Sequence, residues 1–221
     1  MAPGMTRIDT GWRMHQRTSI ELFNYWNQIR GTNAAPLRAQ IDPASLPRLL
    51  PELFILEMPA SGQSQFRLAG TRVCSFFGRE LRGNLFASLW AKEQAWDAER
   101  VVTGVMTHSV PALIHATGYA GSGYTMAFEL LLLPVRSAGD LCDRLLGAAV
   151  PVGNAAWLGG AFIEFLVVER SRLLNEHGGA PTDMSDDDDG LDVPSPLRMR
   201  NWAQTMLRAM HLKIFEDVRS R

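Results

Sequence analysis

The chain has 221 residues, 46% of them hydrophobic and 20% charged, enough to bury the core of one compact domain with extensions. Its 22 lysines and arginines stand against 23 acidic residues, and the net charge of −1 excludes a global attraction to nucleic acid or to an anionic membrane, so neither is an expected partner. Cys74 and Cys142 lie outside any C-x-x-C or Cys/His spacing, which excludes a zinc or dithiol motif and fits free thiols in a reducing cytosol.

Residues 1–17 carry arginines but no continuous apolar run, and read as a flexible tail rather than a secretory signal. Thr18 with Glu21 predicts a capping box, and Leu22, Tyr25, Trp26 and Ile29 at i, i+3, i+4 and i+7 predict an amphipathic helix over 19–30. Pro36, Pro43, Pro47 and Pro51 pace the next run, where Asp42 is placed to cap a short helix opening on Pro43. ELFILEM (52–58) and QFRLAGTRV (65–73), separated by PASGQS, predict an antiparallel hairpin.

A glycine-broken apolar segment follows, and then a helix over 93–107. Ala98, Val101, Val102 and Val105 fall on one face of that helix, with Glu93, Asp97, Glu99 and Arg100 mostly elsewhere. VPALIHATG (110–118) and YTMAFELLLLPV (124–135) flank AGSG, RLLGAAVPV (144–152) comes after a loop, and AFIEFLVVER (161–170) offers a last strand. Residues 148–168 are long enough to cross a membrane, but Pro151, Gly153, Asn154, Gly159, Gly160 and Glu164 make two strands and a turn the better reading. The order predicts an α+β domain over 18–175, built on an antiparallel sheet with helices on one face. Residues 178–196 hold six aspartates, three prolines and no basic residue, so 176–196 read as an acidic disordered linker. Beyond it, Met199, Trp202, Met206 and Met210 beside Arg198, Arg200, Arg208 and Lys213 predict an amphipathic basic helix over 197–221.

Together, PLR (36–38), IDP (41–43), LLPELFILE (49–57), RLAGTRVCSFFGRELRGNLFASLW (67–90) and LLGAAVPVG (145–153) resemble the stand-alone PAS-domain proteins common in alphaproteobacteria. Trp26, Pro36, Arg38, Asp42 and Pro43 sit at matching places, and the resemblance runs over roughly 22–168. It implies a five-stranded antiparallel PAS sheet cupping a cavity against short helices and one longer helix. It also implies a non-catalytic sensory or adaptor role in bacterial signal transduction, in the cytoplasm.

The wall of such a cavity is expected from Phe76, Phe77, Leu81, Leu85, Phe86 and Trp90, with Val105, Ile114, Met126, Phe128 and Leu130. The expected partners are a small-molecule ligand, whose identity and any cofactor the sequence leaves open, other signalling proteins, and a second copy of the chain. Contact surfaces for a partner or dimer are expected from Leu22, Phe23, Tyr25, Trp26 and Ile29 in the first helix, and from Trp202, Met206 and Met210 in the last.

No catalytic residue and no metal site is expected. His108 and His115 lack a paired second ligand for haem, and RVCSFF around Cys74 lacks the asparagine-cysteine-arginine motif of flavin-adduct light sensors. GYAGSGY (118–124) is followed by β-forming residues, so it reads as a hairpin turn and not a phosphate loop. Two alternatives stay open. One is a small isomerase- or dehydratase-type enzyme using Glu129 or Glu164 as a buried base, although strand alternation turns Glu129 away from Phe128 and Leu130, toward solvent or an arginine. The other is a membrane-surface scaffold acting through residues 197–215.

Overall fold

A computed structural model describes residues 14–59, 62–121, 123–139, 141–158 and 160–174. The C-terminal helix, the acidic linker and most of the N-terminal tail expected from the sequence lie outside these residues. Helix α1 (Arg17–Arg30) forms on the predicted apolar spacing, burying Ser19, Leu22, Phe23 and Trp26. Its start differs from expectation. Thr18 Oγ1 donates to Glu52 Oε2 at 2.5 Å instead of capping the helix, and Glu21 pairs with Arg17. The cap comes from a distant strand, described below.

After α1 the prolines hold three one-turn 3-10 helices, at Arg38–Gln40, Pro43–Ser45 and Leu50–Glu52. Asp42 caps the second as expected, accepting from Ala44 N at 3.0 Å and Ser45 Oγ at 2.8 Å. Strands β1 (Leu53–Glu57) and β2 (Gln65–Ala69) pair as the predicted hairpin. Residues 71–73, expected to end β2, instead begin helix α2 (Thr71–Phe76). Gly70 sets that change of course, because a Cβ there would stand 2.3 Å from the carbonyl oxygen of Leu50 and 2.4 Å from that of Pro51. Only a residue without a side chain lets the backbone turn so close.

A one-turn helix at Phe86–Leu89 and helix α3 (Ala95–His108) precede strands β3 (Ala112–Ala120), β4 (Thr125–Arg136), β5 (Cys142–Val152) and β6 (Ile163–Leu173). β3 and β4 pair antiparallel as the predicted hairpin, with Ala120 N donating to Tyr124 O at 2.9 Å. The sheet runs β2-β1-β5-β4-β3-β6 with every pairing antiparallel. It therefore has six strands rather than five: β6, foreshadowed by the 161–170 run, adds to the edge of β3.

Strand alternation gives the sheet two apolar faces. Phe128 pairs with Ala116 and Pro151, and Glu129 with His115 and Val150, which fixes the phase of the central strands. Phe54, Leu56, Phe66, Ile114, Phe128 and Leu130 line the interior face, where α2, the Phe86–Leu89 turn and α3 pack. Leu53, Leu113, Leu131, Leu133, Leu146 and Ala148 are buried on the outer face. There α1 lies over β4 and β5, with Trp26 Nε1 donating to Pro134 O at 2.8 Å. The helices following the sheet's first hairpin thus share one face, as predicted, and α1 takes the other. Burying each large side chain contributes roughly 1.5–3 kcal/mol, so covering both faces is what makes the sheet stable.

Candidate ligand-facing interior and helix latch

The expected ligand wall comes together on the interior face. Phe76, Phe77, Leu81, Phe86, Trp90, Val105, Ile114, Met126, Phe128 and Leu130 are buried and belong to one cluster, whereas Leu85 is only half-buried and does not join it. The rings touch in series. Phe76 meets Phe128 edge-on at 5.4 Å, and Phe86 meets Trp90 at 5.6 Å. Phe54 and Phe66 of the hairpin, not singled out from the sequence, complete the series at 6.3 Å and 5.9 Å from Phe86. Their signal was the β1 alternation Phe54, Leu56 and the matching Phe66.

Two polar features enter this interior. Glu99 of α3, read from sequence as lying off the apolar face, is only 5% exposed. Its carboxylate accepts from Ser64 N at 2.5 Å and from Ser64 Oγ at 2.7 Å, which answers the cost of burying it. The Trp90 indole Nε1 is buried too, and no acceptor reaches it. A buried donor without a partner is uncommon and marks a place where an acceptor would be stabilised.

The outer face carries the second candidate site. Glu129 was expected to meet solvent or an arginine; at 1% exposure it does not meet solvent, while the charge of Arg172 does act on it. Its Oε2 accepts from His15 N at 2.9 Å and its Oε1 from Gln16 N at 3.2 Å, so a β4 carboxylate caps the start of α1. His115 Nε2 stands 3.5 Å from Oε2. Arg170 Nε donates to His115 Nδ1 at 2.6 Å, which leaves the imidazole proton on Nε2, facing Glu129. Burial alone would push the Glu129 carboxyl up, but His115 and the two backbone N–H groups outweigh it and hold the carboxyl below its ordinary range. Such a group stays ionised and is a weak base. Glu164, the other candidate base, is exposed.

Of the expected contact residues, Leu22, Phe23 and Trp26 are buried against the chain's own sheet, while Tyr25 and Ile29 are half-buried. Tyr25 Oη accepts from Asp42 N at 2.7 Å, tying α1 to the proline-paced segment. Trp202, Met206 and Met210 lie outside the described residues. A cleft of about 540 Å³ between the end of α1 and the end of α3 is lined by Trp26, Arg30, His108 and Pro111. A second, of about 270 Å³, opens at His15, His115 and Glu129. Burial raises both thiols, Cys74 and Cys142, above the ordinary range, so neither is activated. Among the described residues, no group of three metal-ligating side chains converges and no helix is long and apolar enough to cross a membrane.

A comparison with curated proteins gives no match. Among solved structures the chain is similar to the Rhodobacter sphaeroides LOV protein, at 15% identity and TM-score 0.40, over 52% of this chain and 70% of that one. It is also similar to the PAS domain of an HTR-like protein from Haloarcula marismortui, at 16% identity and TM-score 0.37, over 49% of this chain and 90% of that one. A family model described as a PAS domain matches residues 14–150. That match spans α1 and most of the sheet, and the chain belongs to the PAS-domain family.

Proposed function

We propose that this PAS protein is a non-catalytic sensor or adaptor in bacterial signal transduction, taking a small-molecule ligand into the aromatic interior and reporting it to partners through α1. The observation that carries the ligand reading is Trp90 Nε1, a buried donor with no acceptor among apolar neighbours. The ligand class this favours is a compact, largely apolar molecule bearing one hydrogen-bond acceptor.

The route outward is short. Phe128, in the interior, and Glu129, on the latch, are consecutive residues of β4, so a displacement of the strand by an occupant is felt at the cap of α1. A ligand that favours one position of β4 shifts the population of docked α1 by its differential affinity for the two states. The non-catalytic half of the reading is supported by Glu129 itself, whose oxygens are engaged with backbone donors and whose carboxyl is held in the ionised form.

The test is native mass spectrometry of freshly purified protein against its denatured mass, with Trp90→Phe in parallel. A small mass lost on denaturation, and diminished in the variant, supports the ligand reading. Protein mass alone in both sinks it, and leaves the adaptor reading, in which the rings are core and partners read the surface directly.

A further inference from the structure

The ends of α1 and α3, helices that cover opposite faces of the sheet, both border the cleft of about 540 Å³, a volume within the range of small-molecule sites. Phe23, Val110, Pro111 and Leu174 give it an apolar wall, and none of its described lining residues is acidic. Arg30 lies over the Trp26 ring at 5.3 Å, with Nε donating to Asn27 Oδ1 at 2.8 Å and Nη1 to Asn33 O at 2.9 Å. Both acceptors are neutral, and among the described residues no carboxylate pairs with this guanidinium. His108, the last residue of α3, also lines the cleft, and its Nε2 is shielded from water with no hydrogen-bond partner.

Helix ends account for part of this arrangement. The last turn of a helix favours a cation, and Arg30 and His108 each sit in one. That does not account for a cavity beside them, nor for a buried ring nitrogen left unpaired, which costs free energy until a partner arrives. Ser109, at a φ of 55°, holds the wall between His108 and Val110 in a left-handed conformation that residues other than glycine adopt rarely. The group that suits such a cleft is a carboxylate. Its hydrogen bonds with a guanidinium are roughly twice as strong as those between neutral groups, so it competes well for Arg30 against the amide and carbonyl oxygens now bound there.

We propose that this cleft is a second ligand site, separate from the aromatic interior, which takes a compact monocarboxylic acid with an apolar body. The carboxylate pairs with Arg30, His108 adds a donor through Nε2, and the body lies against Phe23, Val110 and Pro111. Phenylacetate and its uncharged counterpart phenylacetamide, titrated into the nitrogen-15-labelled full chain, test this by NMR. The reporters are the Arg30 Nε–H and the Trp26 indole N–H, which is fixed to Pro134 O, while the Trp90 indole reports on the interior. The expected result is saturable shifts at Arg30 and Trp26 with phenylacetate, at an affinity about tenfold or more above that for phenylacetamide, and a loss of similar size in Arg30→Gln. No saturable shift, equal affinity for acid and amide, unchanged affinity in Arg30→Gln, or shifts at Trp90 without Arg30 overturn the proposal, and the last of these assigns the acid to the interior instead. The comparison of acid with amide needs no variant, so it decides the question even where Arg30→Gln fails to fold.

Discussion

The latch at Glu129 makes the sharpest prediction. Glu129→Gln keeps the volume of the side chain but presents one acceptor oxygen and an NH2 group to two backbone N–H donors, those of His15 and Gln16. One charge-assisted bond is lost at a site 1% exposed, and a hydrogen bond to a charged group contributes roughly 1.5–3 kcal/mol. For a domain of this size each kcal/mol is about 2–4 °C, so Tm falls by roughly 3–12 °C in a thermal unfolding scan. Amide exchange localises the effect: protection drops at the first turns of α1, while the central strands β4 and β5 keep theirs. The pH dependence has a definite sign. Because the folded-state carboxyl is held below its ordinary range, its stabilisation is complete above the unfolded-state pKa and is lost as pH falls through the lower folded value. The gap between wild type and Glu129→Gln is therefore flat from neutral pH down to about pH 5 and closes below about pH 4.3. An unchanged Tm with unchanged α1 exchange, or a gap that widens on acidification, would refute the latch.

Three further outcomes are expected. Glu99→Ala leaves Ser64 N–H and Oγ buried without their acceptor and costs roughly 2–4 kcal/mol, read as a lower urea midpoint with unchanged slope. Gly70→Ala puts a methyl into the Leu50 and Pro51 carbonyls, costs roughly 1–3 kcal/mol or more, and shows as a lower Tm, whereas Gly31→Ala meets no atom and is strained only by its φ of 57°. Trp90→Phe removes an orphaned donor while keeping an aromatic ring against Phe86, so ligand-free protein loses only what the smaller ring's cavity costs, and any co-purifying mass declines.

How legible these features are in sequence depends on how far away their causes lie. The alternation Met126, Phe128, Leu130 and the glycine-punctuated aromatics at 76–90 are local patterns, and they point to the right interior because one face of a strand is decided by a period of two. The polar sites are different in kind. Thr18 and Glu21 satisfy a local capping rule, yet Thr18 is taken by Glu52 and the helix start by Glu129, 113 and 114 residues from the groups it holds. Glu99 reads as a solvent residue on its helix because nothing nearby announces Ser64, 35 positions earlier.

The same reasoning explains why alternation alone misplaced Glu129. It correctly turned the carboxylate away from Phe128, but "away from the core" means solvent only when the second face of the sheet is bare. Here Leu131 and Leu133, two and four residues on with the same orientation, are apolar, so the outer face demands a cover from Glu129 onward. An acid in line with such residues sits where the cover begins, and a helix start, with its unpaired N–H groups, is the end of a cover that a carboxylate stabilises. The pattern E-L-L-L-L in a strand, with an amphipathic helix far upstream to cover it, thus carries the information that the two can meet. It is readable only when both segments are considered together.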